Sequence, residues 1–252
     1  MIKGIRYYLK RSEQRRFLEA AGVNDRDVFV ASFPKSGNTW MRFILARASY
    51  GNKEIDQRTL QQYFPTVHAN NAGEIRNAPS PRYIKTHAIF FDLYPRCIYL
   101  YRDYRAVAVS GWFHAKKNAN YKGSLAEFID SKLLYAFGPW HWHVNSALDW
   151  KRKHPERIHL VRYEDLLNDT HKSVTELLQF TGIQPLISVD EIVAATSFSR
   201  LQQMEKASQA SDQPFFRSGQ SDNWKEYLTP DLEQKLLNKE TRETMLRCDY
   251  LK

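Results

Sequence analysis

Three groups of polar residues in the sequence have the side-chain types that bind phosphate or accept a proton. They are residues 35–39 (KSGNT), residues 85–87 (KTH), and Arg102 with Ser110. Lysine and hydroxyl groups donate to phosphate oxygens, and an arginine can hold one anion with two parallel hydrogen bonds. A neutral imidazole, with an ordinary pKa of about 6.5, can accept a hydroxyl proton at neutral pH. The three groups therefore suit a reaction that binds phosphate and moves a proton.

The first group follows a short apolar run, residues 28–30, and leads directly into a helical pattern. A strand that turns into a helix leaves unpaired N–H groups at the helix N-terminus and directs the positive end of the helix dipole at one spot. This pattern predicts a phosphate site. It differs from the Walker loop of ATP- and GTP-binding proteins, because Lys35 precedes Gly37 instead of following the last glycine. An ordinary strand–helix turn with polar capping residues is the alternative.

The other two groups each end a predicted strand. Residues 82–87 form a short strand that closes on Lys85 and His87. Residues 96–101 form an apolar strand that precedes Arg102. Because the ligand of a parallel α/β sheet lies beyond the carboxyl ends of its strands, we expect these side chains to meet at the phosphate site, with His87 as a general base. A surface histidine, or one held by a structural hydrogen bond, is the alternative.

Arg102 also begins a second junction between a strand and a helix. Asp103 can cap the helix that follows, and the apolar residues 107–109 would pack it onto the sheet. Ser110 then lies two turns into the helix, where it could face the same anion as the guanidinium of Arg102. The sequence thus predicts two anion-binding junctions at one edge of the sheet.

The string PKSGNTW, residues 34–40, resembles the 5′-phosphosulfate loop PKSGTTW of the cytosolic-type sulfotransferase family. These enzymes depend on 3′-phosphoadenylyl sulfate (PAPS). Asn38 stands where the family more often has threonine, and it keeps a hydrogen-bonding side chain. Further strings follow in the family's order: KTH at 85–87, YEDL at 163–166 and TSF at 196–198. The segment 102–110 resembles the family's 3′-phosphate motif RNPxDxxVS, with changes at positions 103, 104 and 106.

A last resemblance covers residues 215–225, which look like the family's RKGxxGDWK loop. The matching positions are Arg217, Gly219, Trp224 and Lys225. Ser218 replaces a lysine that contacts the 3′-phosphate in the family, so we expect weaker or differently arranged nucleotide binding. The loop is interpreted as a lid over the nucleotide or, alternatively, as a surface loop pinned by Trp224. The predicted C-terminal helix, about residues 230–247, lacks the family's dimerisation motif KxxxTVxxxE, which indicates a monomer or weak dimer.

The resemblance implies an α/β, P-loop-like, three-layer fold with a central, mostly parallel sheet flanked by helices, in a single domain spanning residues 1–252. It implies transfer of a sulfuryl group from PAPS to a hydroxyl or amine of a small-molecule or carbohydrate acceptor, leaving PAP and using no metal. Lys35 would contact the leaving phosphate, Lys85 the sulfuryl group, and His87 would take the acceptor proton. The implied nucleotide-binding residues are Lys35, Ser36, Gly37, Asn38, Thr39, Trp40, Arg102, Ser110, Tyr163, Ser197, Phe198, Phe216, Arg217, Ser218 and Gly219.

The acceptor is not identified by these motifs. We expect its pocket to be lined by the turn-rich segment 51–81 and by Phe90, Phe91, Tyr94, Tyr135 and Trp140. The loop variant and the compact length resemble bacterial members, which modify carbohydrates or specialised metabolites. His141 and His143 suggest a metal site, but two positions apart on a helix they point away from each other, so core packing beside the acceptor is preferred. Glu164 and Asp165 are interpreted as caps of the next helix.

Length and composition restrict the alternatives. The 252 residues fit one α/β domain, and the net charge of +9 with a pI near 9.4 favours an anionic partner. A P-loop kinase would explain one junction but should have a Walker lysine and an acidic Mg²⁺ ligand, and a basic polyanion-binding module would not need the KTH string. Two cysteines exclude a disulfide framework. Residues 2–22 read as a cap helix or a membrane-surface helix, and we expect a cytoplasmic protein that binds neither membrane nor nucleic acid.

Overall fold

The structure is a computed structural model that describes residues 11–67, 69–131, 133–135, 137–207 and 219–251. A parallel sheet of four strands lies at the centre of these residues. The strands are β1 (Val28–Ser32), β2 (Tyr83–Thr86), β3 (Arg96–Tyr101) and β4 (Ile158–Arg162), side by side in the order β2-β1-β3-β4. Val30 pairs with Lys85 on one side and with Ile98 on the other. Because the strands are parallel, their carboxyl ends meet at one edge.

Helices connect and cover the strands. They are α1 (Arg11–Ala20), α2 (Asn38–Tyr50), α3 (Leu60–Tyr63), α4 (Ala72–Arg76), α5 (Tyr104–Asn118), α6 (Leu125–Asp130), α7 (Trp140–Lys153), α8 (Tyr163–Asn168), α9 (Thr170–Thr181), α10 (Val189–Ala195), α11 (Phe198–Ala207), α12 (Pro230–Leu236) and α13 (Lys239–Arg247). Short 3₁₀ turns lie at Phe91–Leu93, Leu133–Tyr135 and Asn223–Glu226.

Both faces of the sheet are buried under helices. Val28 and Val30 of β1 belong to a core that includes α2, α9 and α10, whereas Phe29 and Ala31 belong to a second core that includes residues of α1 and α7. Successive side chains of a strand point to opposite faces, so residues 28–31 of β1 are all apolar. The predicted α/β fold, with a central parallel sheet between helical layers, is confirmed.

The C-terminal part differs from the predicted single helix at 230–247. It forms two helices, α12 and α13, because Leu237 turns into the core and Asn238 starts a new helix. The Asn238 side chain accepts from the backbone N–H of Thr241 at 2.9 Å, which is the usual way an asparagine caps a helix. The prediction of one continuous helix was therefore wrong.

The segment 51–81, which has no clear periodicity in the sequence, contains the short helices α3 and α4. Asn71 and Glu74 form a reciprocal capping box at the start of α4. Phe64, Val67 and Ile75 are buried in the cores on the two faces of the sheet. The segment is thus a packed part of the fold.

The N-terminal helix α1 covers the middle and end of the helix expected at residues 2–22, and residues 1–10 lie outside the described part. Leu18 is buried, and the amide of Gln14 donates to the Tyr94 hydroxyl at 2.7 Å. Its described residues thus pack onto the protein. Throughout the described ranges, every helix is too short or too polar to cross a bilayer.

Candidate active site

The turn between β1 and α2 has a backbone shape that few residue types adopt readily. Gly37 has a φ of +98° and Lys35 a φ of 70°, both in the left-handed region. A Cβ atom at position 37 would lie 2.8 Å from the Tyr163 ring. Glycine is therefore required there for space as well as for conformation. The tight turn brings the N-terminus of α2 to the carboxyl edge of the sheet.

Two polar side chains of this turn point into the protein. Ser36 is completely buried, and its Oγ has no hydrogen-bond partner among the described residues. The Asn38 side-chain nitrogen donates to the carbonyl of Val30 at 3.1 Å and to Oγ of Ser32 at 3.2 Å, which ties the turn to β1. A buried hydroxyl at the N-terminus of a long helix suits an anion site, because the anion can accept from it and from the helix N–H groups.

A cavity of about 510 Å³ opens beyond the carboxyl ends of β1, β2 and β3. Lys35, Lys85 and Arg102 line it from these three strand ends. None of the described residues that line the cavity is acidic. The donor set therefore fits a ligand with several negative charges, such as a nucleotide phosphate.

The lysines of this cavity hold their protons less tightly than ordinary lysines. Burial lowers the pKa of Lys35 to about 7, and the nearby cations Arg102, Lys85 and Lys117 add to the effect. Burial also lowers the pKa of Lys85 to about 8, with a further contribution from Arg42. An anion beside these groups would favour their charged forms and so reverse the shifts.

Arg102 lies between the phosphate turn and the later part of the chain. Its guanidinium carbon lies 4.1 Å from the centre of the Tyr163 ring. Its terminal nitrogens donate to the carbonyls of Lys35 and Gln220, both at 3.4 Å. These contacts are at the long end of hydrogen-bond distances, and an anion would be the stronger acceptor. Ser110, two turns along α5, lines the same cavity.

His87 follows β2 and reaches the cavity from the opposite side of the turn. Its Nδ1 lies 2.8 Å from the carbonyl oxygen of Ser32. A carbonyl oxygen can only accept, so Nδ1 carries the proton of the neutral ring and Nε2 is the basic nitrogen. The ring also packs edge-on against Phe137, with centroids 5.1 Å apart. One histidine nitrogen is thus fixed by the protein and the other has the lone pair that a general base needs.

Aromatic rings form another wall of the cavity. Trp40 donates from Nε1 to the carbonyl of Thr196 at 2.9 Å and meets the Tyr163 ring edge-on at 5.8 Å. Gly219 has a φ of +63°, and a Cβ atom there would lie 2.5 Å from the Phe198 ring. Trp40, Tyr163, Phe198 and Gly219 all line the cavity. Flat apolar walls of this kind suit a nucleotide base.

A family model described as "Sulfotransferase domain" matches residues 25–248, which is most of the chain. The chain belongs to the sulfotransferase family. Sulfotransferase 1E1 of Cavia porcellus is 28% identical to it over 262 aligned residues, which cover 92% of this chain and 88% of that protein. Cytosolic sulfotransferase 1 of Danio rerio is 26% identical, with coverage of 81% and 77%.

Solved structures share the fold of this sulfotransferase. The crystal structure of mouse sulfotransferase SULT7A1 complexed with PAP superposes with a TM-score of 0.71 at 23% identity, covering 93% of this chain and 90% of that one. Retinol dehydratase in complex with androsterone and PAP has a TM-score of 0.67 at 21% identity, covering 92% and 85%. At these identities the likeness establishes the fold alone.

The structure of the sulfotransferase brings most of the site residues expected from the sequence to one place. Those that line the cavity are Lys35, Gly37, Asn38, Thr39, Trp40, Lys85, His87, Arg102, Ser110, Tyr163, Phe198 and Gly219. Ser36 lies buried in the turn beside them. The Ser197 hydroxyl is 3.4 Å from that of Ser199 and is not part of the wall. Phe216, Arg217 and Ser218 lie outside the described residues.

One face of α5 contributes cavity residues that the motifs did not indicate. Ala106, Ser110, His114 and Asn118 follow one another at intervals of four residues, and all four line the cavity. This spacing places them on one helix face and could have been read from the sequence once Ser110 was assigned. The Asn118 side-chain nitrogen donates to Nδ1 of His114 at 2.9 Å. Desolvation by the cavity wall and the cations Lys35, Lys117 and Lys85 lower the pKa of His114 to about 4, so its ring is neutral.

The expected acceptor wall needs correction. Phe91 and Tyr94 are buried in the core on the α1 side of the sheet, and Trp140 stacks on Tyr104 in the core between α5 and α7. Phe90 packs against the α1-side core, and the described residues of segment 51–81 do not line the cavity. The Tyr135 side chain lies outside the described part. The apolar wall is formed instead by Gly111, Ala115, Phe128, Leu133, Leu134 and Phe137.

At the starts of helices, one interpretation changes and another is confirmed. Glu164 lies in the first turn of α8, where it accepts from the Asp103 N–H at 3.2 Å and from the Tyr250 hydroxyl at 2.7 Å. It therefore joins three parts of the chain, and the next helix, α9, is capped by Asp169. Asp103 caps α5 as expected, through the Arg105 N–H at 2.8 Å. The described residues contain no group of three His, Cys, Asp or Glu side chains placed to hold a metal ion.

Proposed function

We propose that this sulfotransferase moves the sulfuryl group of PAPS to a hydroxyl group of a small molecule, leaving PAP. The supporting observation is the pairing in one cavity of three cations, Lys35, Lys85 and Arg102, with a histidine whose basic nitrogen is Nε2. The likeness to solved structures that contain PAP agrees with this donor. A binding module for polyanions would have no use for an oriented base beside the cations.

The nucleotide would occupy the part of the cavity between the phosphate turn and the aromatic wall. In this proposal Lys35, Ser36 and the N-terminus of α2 hold the 5′-phosphosulfate, and Arg102 with Ser110 holds the 3′-phosphate. Trp40 and Phe198, with Tyr163 nearby, would hold the adenine. Among the described residues, the buried Oγ of Ser36 and Nε of Arg102 have no hydrogen-bond partner, and such phosphates would satisfy both atoms.

The acceptor would occupy the part lined by α5, α6 and Phe137. His87 would remove the hydroxyl proton through Nε2 as the acceptor oxygen attacks sulfur and the bond from sulfur to the phosphate oxygen breaks. Lys85 would hold the sulfuryl oxygens, and Lys35 would neutralise the charge that develops on the departing phosphate. The hydroxyl proton ends on His87, and the electron pair of the broken bond ends on PAP.

The test combines ligand stabilisation with product detection. A ligand at 100 times its dissociation constant adds about 2.7 kcal/mol to the free energy of unfolding, so PAP should raise the melting temperature measurably without Mg²⁺. ATP with Mg²⁺ is the control and should not match it. Incubation with PAPS and a mixed set of phenols, alcohols, amines and sugars should then yield products heavier by one sulfo group in mass spectrometry. Stabilisation by ATP and Mg²⁺ alone, with no sulfated product, would contradict the proposal.

A further inference from the structure

A buried chain of hydrogen bonds lies directly behind His87. The Tyr99 hydroxyl lies 2.7 Å from Nδ1 of His143, and Nε2 of His143 lies 3.0 Å from the backbone carbonyl of His87. Since that carbonyl can only accept, His143 carries its proton on Nε2 and accepts at Nδ1 from the Tyr99 hydroxyl. In this series of hydrogen bonds the Tyr99 hydroxyl donates, Nδ1 of His143 accepts, Nε2 of His143 donates and the His87 carbonyl accepts.

The surroundings of His143 permit no other arrangement of its ring. Tyr99 is 0% exposed and His143 is 1% exposed. The Tyr99 ring stacks on the imidazole at 5.6 Å, and Phe33 meets it edge-on at 5.4 Å. Burial lowers the pKa of His143 to about 4, so the ring is neutral at neutral pH. Its direction of donation is therefore constant.

The turn that holds His87 is fixed from its other side as well. The Ala88 N–H donates to the Thr86 hydroxyl at 3.0 Å, and the Ala88 carbonyl accepts from the Tyr94 hydroxyl at 3.3 Å. The His143 bond to the carbonyl of His87 lies between these two contacts in sequence. The two residues that follow β2, His87 and Ala88, are therefore held by groups of β2, α7 and the turn before β3.

We infer that His143, oriented by Tyr99, is a positioning residue that holds the backbone of His87 so that its ring keeps the Nδ1–H bond to Ser32. His87 lines the cavity, whereas His143 is not among the residues that line it. Its contribution is to keep Nε2 as the basic nitrogen of the His87 ring. The inference rests on the proposed role of His87 and assigns a function to a histidine that otherwise reads as core packing.

Two substitutions of His143 separate the effect of its hydrogen bonds from the effect of its packing. His143→Gln offers an amide N–H for the His87 carbonyl and an oxygen for Tyr99, whereas His143→Leu removes both. Mutating the hydrogen-bond partner of a metal-bound histidine typically lowers activity by about 10- to 100-fold. We expect His143→Leu to lower kcat by a factor in the same range and to leave the affinity for PAP unchanged. His143→Gln should recover most of kcat. Tyr99→Phe removes one hydroxyl, and its kcat should lie between those of His143→Leu and His143→Gln.

The second readout is the tautomer of His87, measured from ¹⁵N chemical shifts of the imidazole. The wild type and His143→Gln should show only the Nδ1–H form, and His143→Leu a mixture. Tyr83→Phe is the matched control: it removes another buried phenol hydroxyl, on β2, away from His87, and should leave kcat and tautomer unchanged.

Full kcat and a single tautomer in His143→Leu would overturn the inference, as would an equal loss of kcat in Tyr83→Phe. If His143→Leu does not fold, Tyr99→Phe decides the same question with the same two readouts. Failure of the proposed function is distinguished by His87→Ala: sulfuryl transfer that survives this change refutes the base, whatever His143 does.

Discussion

At the scale of single residues, His87 carries the clearest prediction. Replacing it with alanine removes the only proposed proton acceptor but none of the proposed phosphate contacts. We expect His87→Ala to lower kcat by about 10²- to 10⁴-fold, the usual contribution of general base catalysis, and to leave the dissociation constant of PAP nearly unchanged. Turnover is measured with a saturating phenol, and PAP binding by calorimetry. His171→Ala, at a surface histidine of α9, is the control. Equal losses of turnover and PAP affinity would contradict the assignment.

Lys35 gives a prediction for proton uptake. Its pKa is lowered to about 7 in the free protein, and a bound phosphate favours the charged form, so the pKa rises on binding. Above about pH 7 the complex must therefore take up a proton, and affinity for PAP must fall as the pH rises. Calorimetry at about pH 8, in buffers of different ionisation enthalpy, measures the uptake. Lys35→Arg, which stays charged, should show less uptake. Proton release on binding would refute this account.

The sequence was sufficient to predict that Lys35, His87 and Arg102 lie together. Each of them follows a strand, and parallel strands bring their carboxyl ends to one edge of the sheet. The hydrogen bonds of His143 were not accessible in this way, because its partners Tyr99 and His87 lie 44 and 56 positions away. A side chain on a helix gives no sign in sequence of which strand end it will meet.

At the scale of elements, the turn between β1 and α2 depends on Gly37. Alanine there must accept a left-handed φ and place its Cβ 2.8 Å from the Tyr163 ring. Gly182, at the end of α9, is the matched control, since its φ is +71° but no atom of the described residues lies within 4 Å of the added Cβ. We expect Gly182→Ala to lower the free energy of unfolding by about 1–2 kcal/mol, and Gly37→Ala to lose more and also weaken PAP binding. Urea denaturation and calorimetry measure these effects. Equal losses of unfolding free energy in both variants would show that the Tyr163 ring can move away from the added Cβ without destabilising the protein.

A buried ion pair joins the starts of β1 and β2. Asp27 is 0% exposed and accepts from Nε and Nη2 of Arg82 at 2.8 and 2.5 Å. Asp27→Ala leaves the buried guanidinium without its counter-charge, which typically costs about 3–5 kcal/mol of unfolding free energy. The exposed pair of Lys235 and Asp130 is the control, and Asp130→Ala should cost below about 1 kcal/mol. Similar denaturation midpoints for the two variants would mean that the backbone carbonyls to which Arg82 also donates are sufficient to hold its charge.

The elements that the sequence predicted least well are those whose ends are set by tertiary packing. The segment 51–81 has weak periodicity, yet Phe64 and Ile75 anchor it in the cores on opposite faces of the sheet. The break between α12 and α13 follows from the burial of Leu237, which a helical pattern alone does not reveal. For the same reason the acceptor wall was misassigned: aromatic residues were abundant, and only the fold decides which of them face the cavity.

At the scale of the whole molecule, charge should select the acceptor. The protein carries a net charge of +9, the cavity holds Lys35, Lys85 and Arg102, and its described lining has no carboxylate. In the proposed complex these cations pair with the nucleotide, so the acceptor meets an apolar wall without a carboxylate. A cationic amine would lose its hydration there without gaining a charged partner, whereas a neutral phenol would not. We expect 4-ethylphenol to be sulfated with a higher kcat/KM than tyramine, which has the same ring and an added ammonium group.

His114 allows this selection to be reversed. His114→Glu places a carboxylate on the α5 face that lines the cavity, and we expect the kcat/KM for tyramine to rise relative to 4-ethylphenol. His114→Gln is the matched control, since it has the same shape as the glutamate variant without the charge and should keep the wild-type preference. The ratio of the two kcat/KM values is the measurement, because it cancels differences in folded fraction. An unchanged ratio in the glutamate variant would place the acceptor's amine end away from α5, and the charge argument for this wall would fail.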